Sequence, residues 1–406
     1  MVNSTLFIFT NEYPYGDGET YIVNELSTLS KNFQTVVVFP LQMKAPARKF
    51  PKPNIESVVL FQEPIRPSKR LVLNNFFLFF KILTTEFLNS RTKKQFILAV
   101  PELKSRLLQN IKRAELLSKF IDHKEYKNIF FYSFWTDDWA TALSILRKQR
   151  KIDNFISRVH GYDLYEERWP NGIIPFRYLQ LTQVKTIFTV SEDGLNYMIR
   201  HYPKFNHKFK LSRLNVFDQG NNPWYDSSIF TLVSCSNLIP LKRVQLILDA
   251  MRYIDFDLKW LHFGDGEQGY FLKQQVPELP ANIQVYFKGQ LPNSDIIQFY
   301  KHNCVNVFLH MSETEGGVPL AIQEAASFGI PLIAADSGGV REIVSDLTGI
   351  LTKNDVSSEE LGKIISNFRK SDKNGPEFRA KVKTYWKQHF DASCNYSLLY
   401  RQFTEN

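Results

Sequence analysis

The stretch that decides the fold is Ser312-Glu-Thr-Glu-Gly-Gly-Val-Pro-Leu-Ala-Ile-Gln-Glu-Ala-Ala-Ser-Phe-Gly-Ile-Pro331. The apolar run Val305 to Leu309 leads into it and reads as a buried strand. Gly316 and Gly317 allow a tight turn with close backbone approach. Pro319 suits the first turn of a helix, and Gly329 and Pro331 suit its end. The pattern predicts a strand, a glycine loop, a helix over Leu320 to Phe328 and a further strand over Pro331 to Ala335. Unpaired amides and the helix dipole at such an N-terminus favour an anion such as a diphosphate. Gly316, Gly317, Val318, Pro319 and Leu320 would line that group. Glu324, about one turn into the helix, can accept two hydrogen bonds from a ribose diol. Glu315 in the loop can do the same for sugar hydroxyls.

A second turn of this kind follows about twenty residues on, Ala335-Asp-Ser-Gly-Gly-Val-Arg-Glu-Ile-Val344. One Gly-Gly alone would read as an ordinary loop; two in succession favour a binding site. Working back from this segment, strands are expected at Phe230 to Cys235, Leu258 to Phe263 and Val285 to Phe287, with a helix at Val244 to Met251. The polar stretch Asp218-Gln-Gly-Asn-Asn-Pro223 reads as a linker. Before it the rhythm is the same. Strands are expected at Leu6 to Thr10, Val36 to Phe39, Asn128 to Tyr132, Phe155 to Val159, Thr186 to Val190 and Phe209 to Val216. Helices are expected at Tyr21 to Leu29 and Glu192 to His201. Alternating strands and helices predict an α/β fold of two Rossmann-like domains with parallel sheets. The domains are drawn as 1–218 and 219–385, with 386–406 as a C-terminal helix packing back on the first domain. Ligands of open parallel sheets bind at the carboxyl ends of the strands, so a central cleft is the expected site.

The chain has 406 residues, room for two cores. Its three cysteines, Cys235, Cys304 and Cys394, are odd in number and far apart, which argues against a disulfide framework or a zinc site and for a reducing compartment. The start, Met1-Val-Asn-Ser-Thr-Leu-Phe-Ile-Phe9, lacks the basic region of a signal peptide, and no apolar run is long enough for a transmembrane helix. The net charge of +9 is local: residues 66–120 carry twelve Lys and Arg against three acids, an excess equal to that of the whole chain.

The segment Glu315 to Glu324, with Gly329-Ile-Pro331 and Gly338-Gly-Val-Arg-Glu342, resembles the signature of the family 4 glycosyltransferases, retaining enzymes of the GT-B fold, such as those of bacterial capsular or exopolysaccharide synthesis. That family spaces its two glutamates eight apart. Here they are nine apart, which we read as a one-residue loop insertion, with Glu313 the weaker alternative to Glu315. The resemblance implies that Lys242, in Ser234-Cys-Ser-Asn-Leu-Ile-Pro-Leu-Lys-Arg243, contacts the diphosphate. Ser236 stands where the family has an arginine; Arg243 is a candidate substitute. Gly264 and Lys288 fall in loops near the nucleobase. Gly16 and Gly18 resemble the family's first glycine loop. His160, in Arg158-Val-His-Gly-Tyr-Asp163, resembles its cleft histidine, with Arg158 and Asp163 beside it on the donor. Ser191 falls at a further loop of this kind.

The resemblance implies transfer of a sugar, with retention, from a nucleoside-diphosphate sugar to a saccharide or lipid-linked acceptor. Glu315, Lys242 and His160 are the expected catalytic residues, with no cofactor besides the donor substrate and no metal. Three rivals share parts of the pattern: a nucleotide-sugar epimerase, a glycosidase working through paired carboxylates, and a non-catalytic accessory subunit of a polysaccharide-synthesis complex. In residues 66–120, Phe76-Phe-Leu-Phe-Phe80 lies among Lys69, Arg70 and Lys81. Basic residues beside bulky apolar ones suit an anionic membrane surface, and the alternative is a helical insertion with buried Phe and solvated charges. A cytoplasmic protein, peripheral at the inner face of the membrane, is expected. No nucleic-acid motif accompanies the charge.

Overall fold

The computed structural model describes residues 4–16, 18–61 and 69–404, so Asp17 and Arg66 lie outside the described residues. The chain divides into two compact units, one reaching Ser212 and resuming at Tyr396, the other Arg213–Asn395. The division falls earlier than the expected boundary at 218.

In the first unit β1 (Thr5–Thr10), β2 (Thr35–Pro40), β3 (Ile55–Ser57), β4 (Ile129–Ser133), β5 (Ile156–Val159), β6 (Thr186–Thr189) and β7 (Phe209–Leu211) form one sheet in the order β3-β2-β1-β4-β5-β6-β7. Every pairing is parallel. A parallel sheet covered on both faces requires continuous apolar strands rather than alternating ones. Thr5-Leu-Phe-Ile-Phe-Thr10 supplies that, with Leu6 to Phe9 wholly buried. In the second unit β8 (Phe230–Cys235), β9 (Leu258–Phe263), β10 (Ile283–Phe287), β11 (Val307–His310), β12 (Leu332–Ala335) and β13 (Gly349–Thr352) follow the order β10-β9-β8-β11-β12-β13, again all parallel. One face of this sheet packs on helices Leu320–Ser327 and Pro376–Phe390, the other on Val244–Ala250 and Ser358–Lys370.

Three expectations change. The strand Phe209 to Val216 ends at Leu211, and Val216 instead makes an isolated parallel bridge to Asp391 inside the second unit. The second Gly-Gly opens a short 3-10 turn, Gly338–Glu342, rather than an α-helix. The end of the chain is two helices, Pro376–Phe390 and Ala392–Thr404, separated at Asp391. From Tyr396 onward the second of them belongs to the first unit, where Tyr400 and Phe403 pack edge-on against Phe33.

The basic segment forms helices Lys69–Asn74, Phe76–Asn89 and Lys93–His123. They bury Phe79, Ile82, Phe96 and Leu103 in the first unit's core. Phe76, Phe77 and Phe80 remain exposed, Phe77 at 87%. The segment is therefore a helical insertion that lies partly in the core and leaves some of its Phe side chains exposed. Among the described residues no helix is long and apolar enough to cross a membrane.

Candidate functional site

In both sheets the order reverses at the strand that starts the unit: between β1 and β4, and between β8 and β11. Loops leaving two such strands part to opposite faces and open a crevice at their carboxyl ends, where ligands of this architecture bind. In the second unit the loop after β8 carries Lys242, on the 3-10 turn Pro240–Lys242, and the loop after β11 carries Glu315. Lys242 Nζ lies 2.5 Å from Glu315 Oε1, and Nε2 of His310, the last residue of β11, lies 2.8 Å from the same oxygen. Burial pushes the Glu315 carboxyl up, but the hydrogen bonds and charges of His310 and Lys242 outweigh it and hold the group at about 2. Glu315 is thus a carboxylate at neutral pH, and His310 Nε2 must carry the donated hydrogen.

The two glycine turns touch. Gly338 adopts φ +51°, and a Cβ there would collide with the Glu315 carbonyl oxygen. A Cβ on Gly339 would sit 2.6 Å from the Gly317 carbonyl carbon. The second turn is the bed on which the first lies. Its Glu342 is held by Arg213 at 2.7 Å. Gly316 and Gly317 are half-buried in the loop, Val318 is buried, and Pro319 is the N-cap of helix Leu320–Ser327 with no side-chain cap. The first amides of that helix lack intrahelical acceptors, leaving donors beside Lys242 and Glu315. Glu324 is half-buried, accepts from Asn293 Nδ2 at 2.8 Å, and is raised to about 7 by burial, against the Asn293 hydrogen bond.

The loops after β8, β9 and β10 also meet. Gly264, at φ +130°, lies where a Cβ would strike the Ser236 carbonyl, and its N–H donates to Gly289 O at 2.9 Å. Gly264 is thus a packing glycine. Lys288 is exposed, its ammonium 5.5 Å from the Tyr286 ring. Arg243 does not replace the arginine missing at Ser236. It donates to Met311 O at 2.6 Å, Asn354 O at 2.5 Å and Asn354 Oδ1 at 2.8 Å, so it braces the loop after β11. Glu313 is exposed, and its N–H donates to Leu241 O at 2.9 Å. Of the two glutamates, Glu315 is the one joined to Lys242.

In the first unit the loop after β1 is folded around Glu19, which the sequence did not single out. Its carboxylate accepts the N–H groups of Asn11, Glu12 and Tyr13 at 2.9, 2.6 and 2.7 Å, and Trp135 Nε1 in the loop after β4. A Cβ on Gly16 would meet the Glu12 side chain, which packs against it; Gly18 is exposed. His160, just past β5, lies under Trp135 and Phe134 with ring centroids 4.1 and 4.9 Å away. Neither ring nitrogen has a hydrogen-bond partner among the described residues. Burial, then the Arg158 charge, push its pKa well below the usual histidine range, so the imidazole is neutral.

Two residues expected on the donor are committed elsewhere. Arg158 is wholly buried, paired with Glu25 at 2.8 Å, with Nε donating to Tyr132 Oη at 2.7 Å and Nη1 to Ser212 O. Lying inside a strand, it points into the layer between sheet and helix Ile22–Leu29 and is a core ion pair rather than a phosphate contact. Asp163 is buried and accepts the N–H groups of His160 and Thr136 at 2.7 and 2.8 Å. It shapes the His160 loop. Ser191 is the N-cap of helix Glu192–His201, accepting from Gly194 N–H at 3.1 Å. Among the described residues no group of three or more His, Cys, Asp or Glu side chains could hold a metal.

Two open parallel sheets with glycine-loop sites define a class, and solved structures agree. The chain aligns over 99% of its length, and 99% of theirs, with Anabaena HepE in complex with UDP (TM-score 0.66, 16% identity) and with sucrose-phosphate synthase of Thermosynechococcus elongatus (TM-score 0.68, 13% identity). The chain has the GT-B fold. Residues 225–389, which lie within the second unit, match the family described as glycosyl transferases group 1. A GDP-mannose-dependent monoacylated alpha-(1-6)-phosphatidylinositol monomannoside mannosyltransferase of Corynebacterium glutamicum is 22% identical over 310 residues, 70% of this chain and 78% of that protein.

Proposed function

We propose that this chain is a retaining glycosyltransferase that moves a sugar from a nucleoside-diphosphate sugar to a saccharide or lipid-linked saccharide, in surface polysaccharide synthesis on the cytoplasmic side of the membrane. The observation that carries this reading is the Lys242–Glu315–His310 cluster beside the uncapped helix N-terminus at the strand-order reversal. The diphosphate binds the helix amides and draws Lys242 Nζ from Glu315. Glu315, still held by His310, turns its carboxylate to sugar hydroxyls, and Glu324 receives the ribose diol. Neutral His160 contacts the donor sugar. The anomeric carbon–oxygen bond to the β-phosphate breaks, the acceptor oxygen bonds to the same face of that carbon, and the acceptor proton passes to the departing phosphate oxygen. Lys242 and the amides stabilise the charge that grows there. No enzyme nucleophile and no metal enter these steps.

Relatives bearing GDP-mannose and UDP in their names leave the base to experiment. Thermal unfolding with UDP, GDP, ADP, CDP and their sugars, on the wild type and on Glu324→Ala, reads it, since a ligand of the native state raises Tm. A base-specific rise lost in Glu324→Ala is the expected result. Product anomeric configuration by NMR then decides retention. Silence with every nucleotide would favour the accessory-subunit reading, to which the missing arginine at Ser236 already lends weight.

A further inference from the structure

A second cavity lies in the first unit, away from the glycine loops. It has a volume of about 240 Å³ and is bounded by the turn Asn89–Thr92 between two helices of the basic segment, by residues 172–178 and by residues 201–205. That is below the roughly 300–1,000 Å³ of sites for whole drug-sized ligands, and fits one polar headgroup. Phe96, Ile174 and Phe205 give it apolar walls, and Arg91, Arg177 and Lys204 line it with positive charge. The carboxylates among its walls are Glu86 and Glu166. Glu86 is taken up by the amides of Leu179 and Tyr178 at 2.6 and 3.3 Å and is raised to about 7 by burial. Glu166 accepts from Tyr202 Oη and lies 3.7 Å from Arg91. His201 bonds the Tyr197 carbonyl through Nδ1 at 2.9 Å. Arg177 is buried, and its Nε and Nη1 have no acceptor among the described residues. Lys204 is exposed and has no ion pair among them. Three cationic side chains thus line the cavity against two carboxylates, and Arg177 keeps one donor, Nη2, on Asp163 O. On the two helices that flank this turn, Leu88, Ile97 and Leu98 stand 60% exposed or more.

We propose that this cavity holds the phosphate headgroup of an anionic membrane lipid, while Leu88, Ile97 and Leu98 enter the acyl boundary around it. Cationic lining, headgroup-sized volume and exposed apolar side chains meet around the turn between these two helices, and together they match a phospholipid at an interface rather than a soluble anion. The assignment is independent of the donor-site reading.

The test is cosedimentation of the full chain with phosphatidylcholine vesicles, with and without phosphatidylglycerol. Charge alone near an anionic surface contributes roughly fivefold in partitioning per Lys or Arg. Arg91→Gln/Lys204→Gln should lose at least about tenfold more than the off-cavity pair Lys81→Gln/Lys104→Gln. Leu88→Ser/Leu98→Ser should abolish vesicle binding, and glycerol 3-phosphate should still raise its Tm. Equal loss in the two charge pairs would mean plain surface attraction and overturn the cavity assignment. A Tm rise with glycerol 3-phosphate but no binding to anionic vesicles would mean a free-phosphate site and overturn the lipid. Nucleotide-induced Tm shifts on the same cavity variants report the donor site separately.

Discussion

The Lys242 ammonium lies 2.5 Å from a Glu315 oxygen that also accepts from His310, so both basic groups converge on one carboxylate atom. Groups that act as a unit lose function together. Lys242→Ala should lower kcat for sugar transfer about 10²–10³-fold, as loss of one preorganised charge-stabilising group does. Glu315→Gln should fall comparably, and the double variant no further than the worse single. Additive losses in steady-state kinetics would show that the two do not act together.

The same carboxylate sets an acid limit. Its pKa is depressed in the folded chain from 4.5 to about 2, so its contribution is fully present above 4.5 and is lost as pH falls toward 2. The Tm of the wild type should drop more steeply across that window than that of Glu315→Gln. Parallel curves would remove His310 and Lys242 as the cause.

Glu324 has the opposite sign. Its pKa is raised from 4.5 to about 7, so the folded chain keeps a proton the unfolded chain releases, and stability falls as pH rises through that interval. Glu324→Gln should raise Tm more at about pH 8 than at about pH 5, by roughly 2–4 °C for each kcal/mol recovered. Since a ribose diol donates to the ionised form, wild-type affinity for the nucleotide that binds should weaken as pH drops below about 7. Calorimetric titration across pH checks this.

Gly339→Ala tests the contact between the two glycine turns. Its added methyl must displace the Gly317 carbonyl carbon, 2.6 Å away, and with it the Glu315 loop. A 1 Å misplacement can cost about 10² in rate. Loss of that order, with far-ultraviolet circular dichroism unchanged, is expected; full activity would show that the loop absorbs the shift.

Arg158 and Glu25 should behave as core. Removing one partner of a buried pair costs about 3–5 kcal/mol. Urea unfolding should show that loss for Glu25→Leu and for Arg158→Met, and recovery of most of it in the double variant.

Most of the fold was legible because parallel strands buried on both faces are short unbroken apolar runs, as at Phe230–Cys235 and Leu258–Phe263, where the expected and observed bounds coincide. Two of the edge strands were not. Ile55–Ser57 and Gly349–Thr352 are three and four residues long and only partly buried, so no such run marks them. The glycine loop announced Glu315 and Glu324 through residue types with few other uses in that order. His310 and Glu19 carry no such mark: one is the last residue of an apolar strand, the other a loop acid whose three amide partners adjoin only after folding. Arg158 misled because a basic residue beside a histidine reads as a site, whereas its partner Glu25 lies 133 positions away in sequence.

Helix Ala392–Thr404 starts in the second unit, where the Ala392 N–H meets Val216 O, and supplies Tyr396, Leu399 and Phe403 to the core of the first. Phe33, Phe130 and Tyr132 all pack against Phe403. A ribosome adding about 5–20 residues per second needs roughly 10–40 s to pass from Ser212 to Tyr396. For that interval the nascent first unit carries an uncovered aromatic face, and the second unit, whose core lies wholly within Arg213–Asn395, can close before it. That face of the N-terminal sheet is thus finished only by the last turns of the chain, made after Phe390, the final core residue of the second unit.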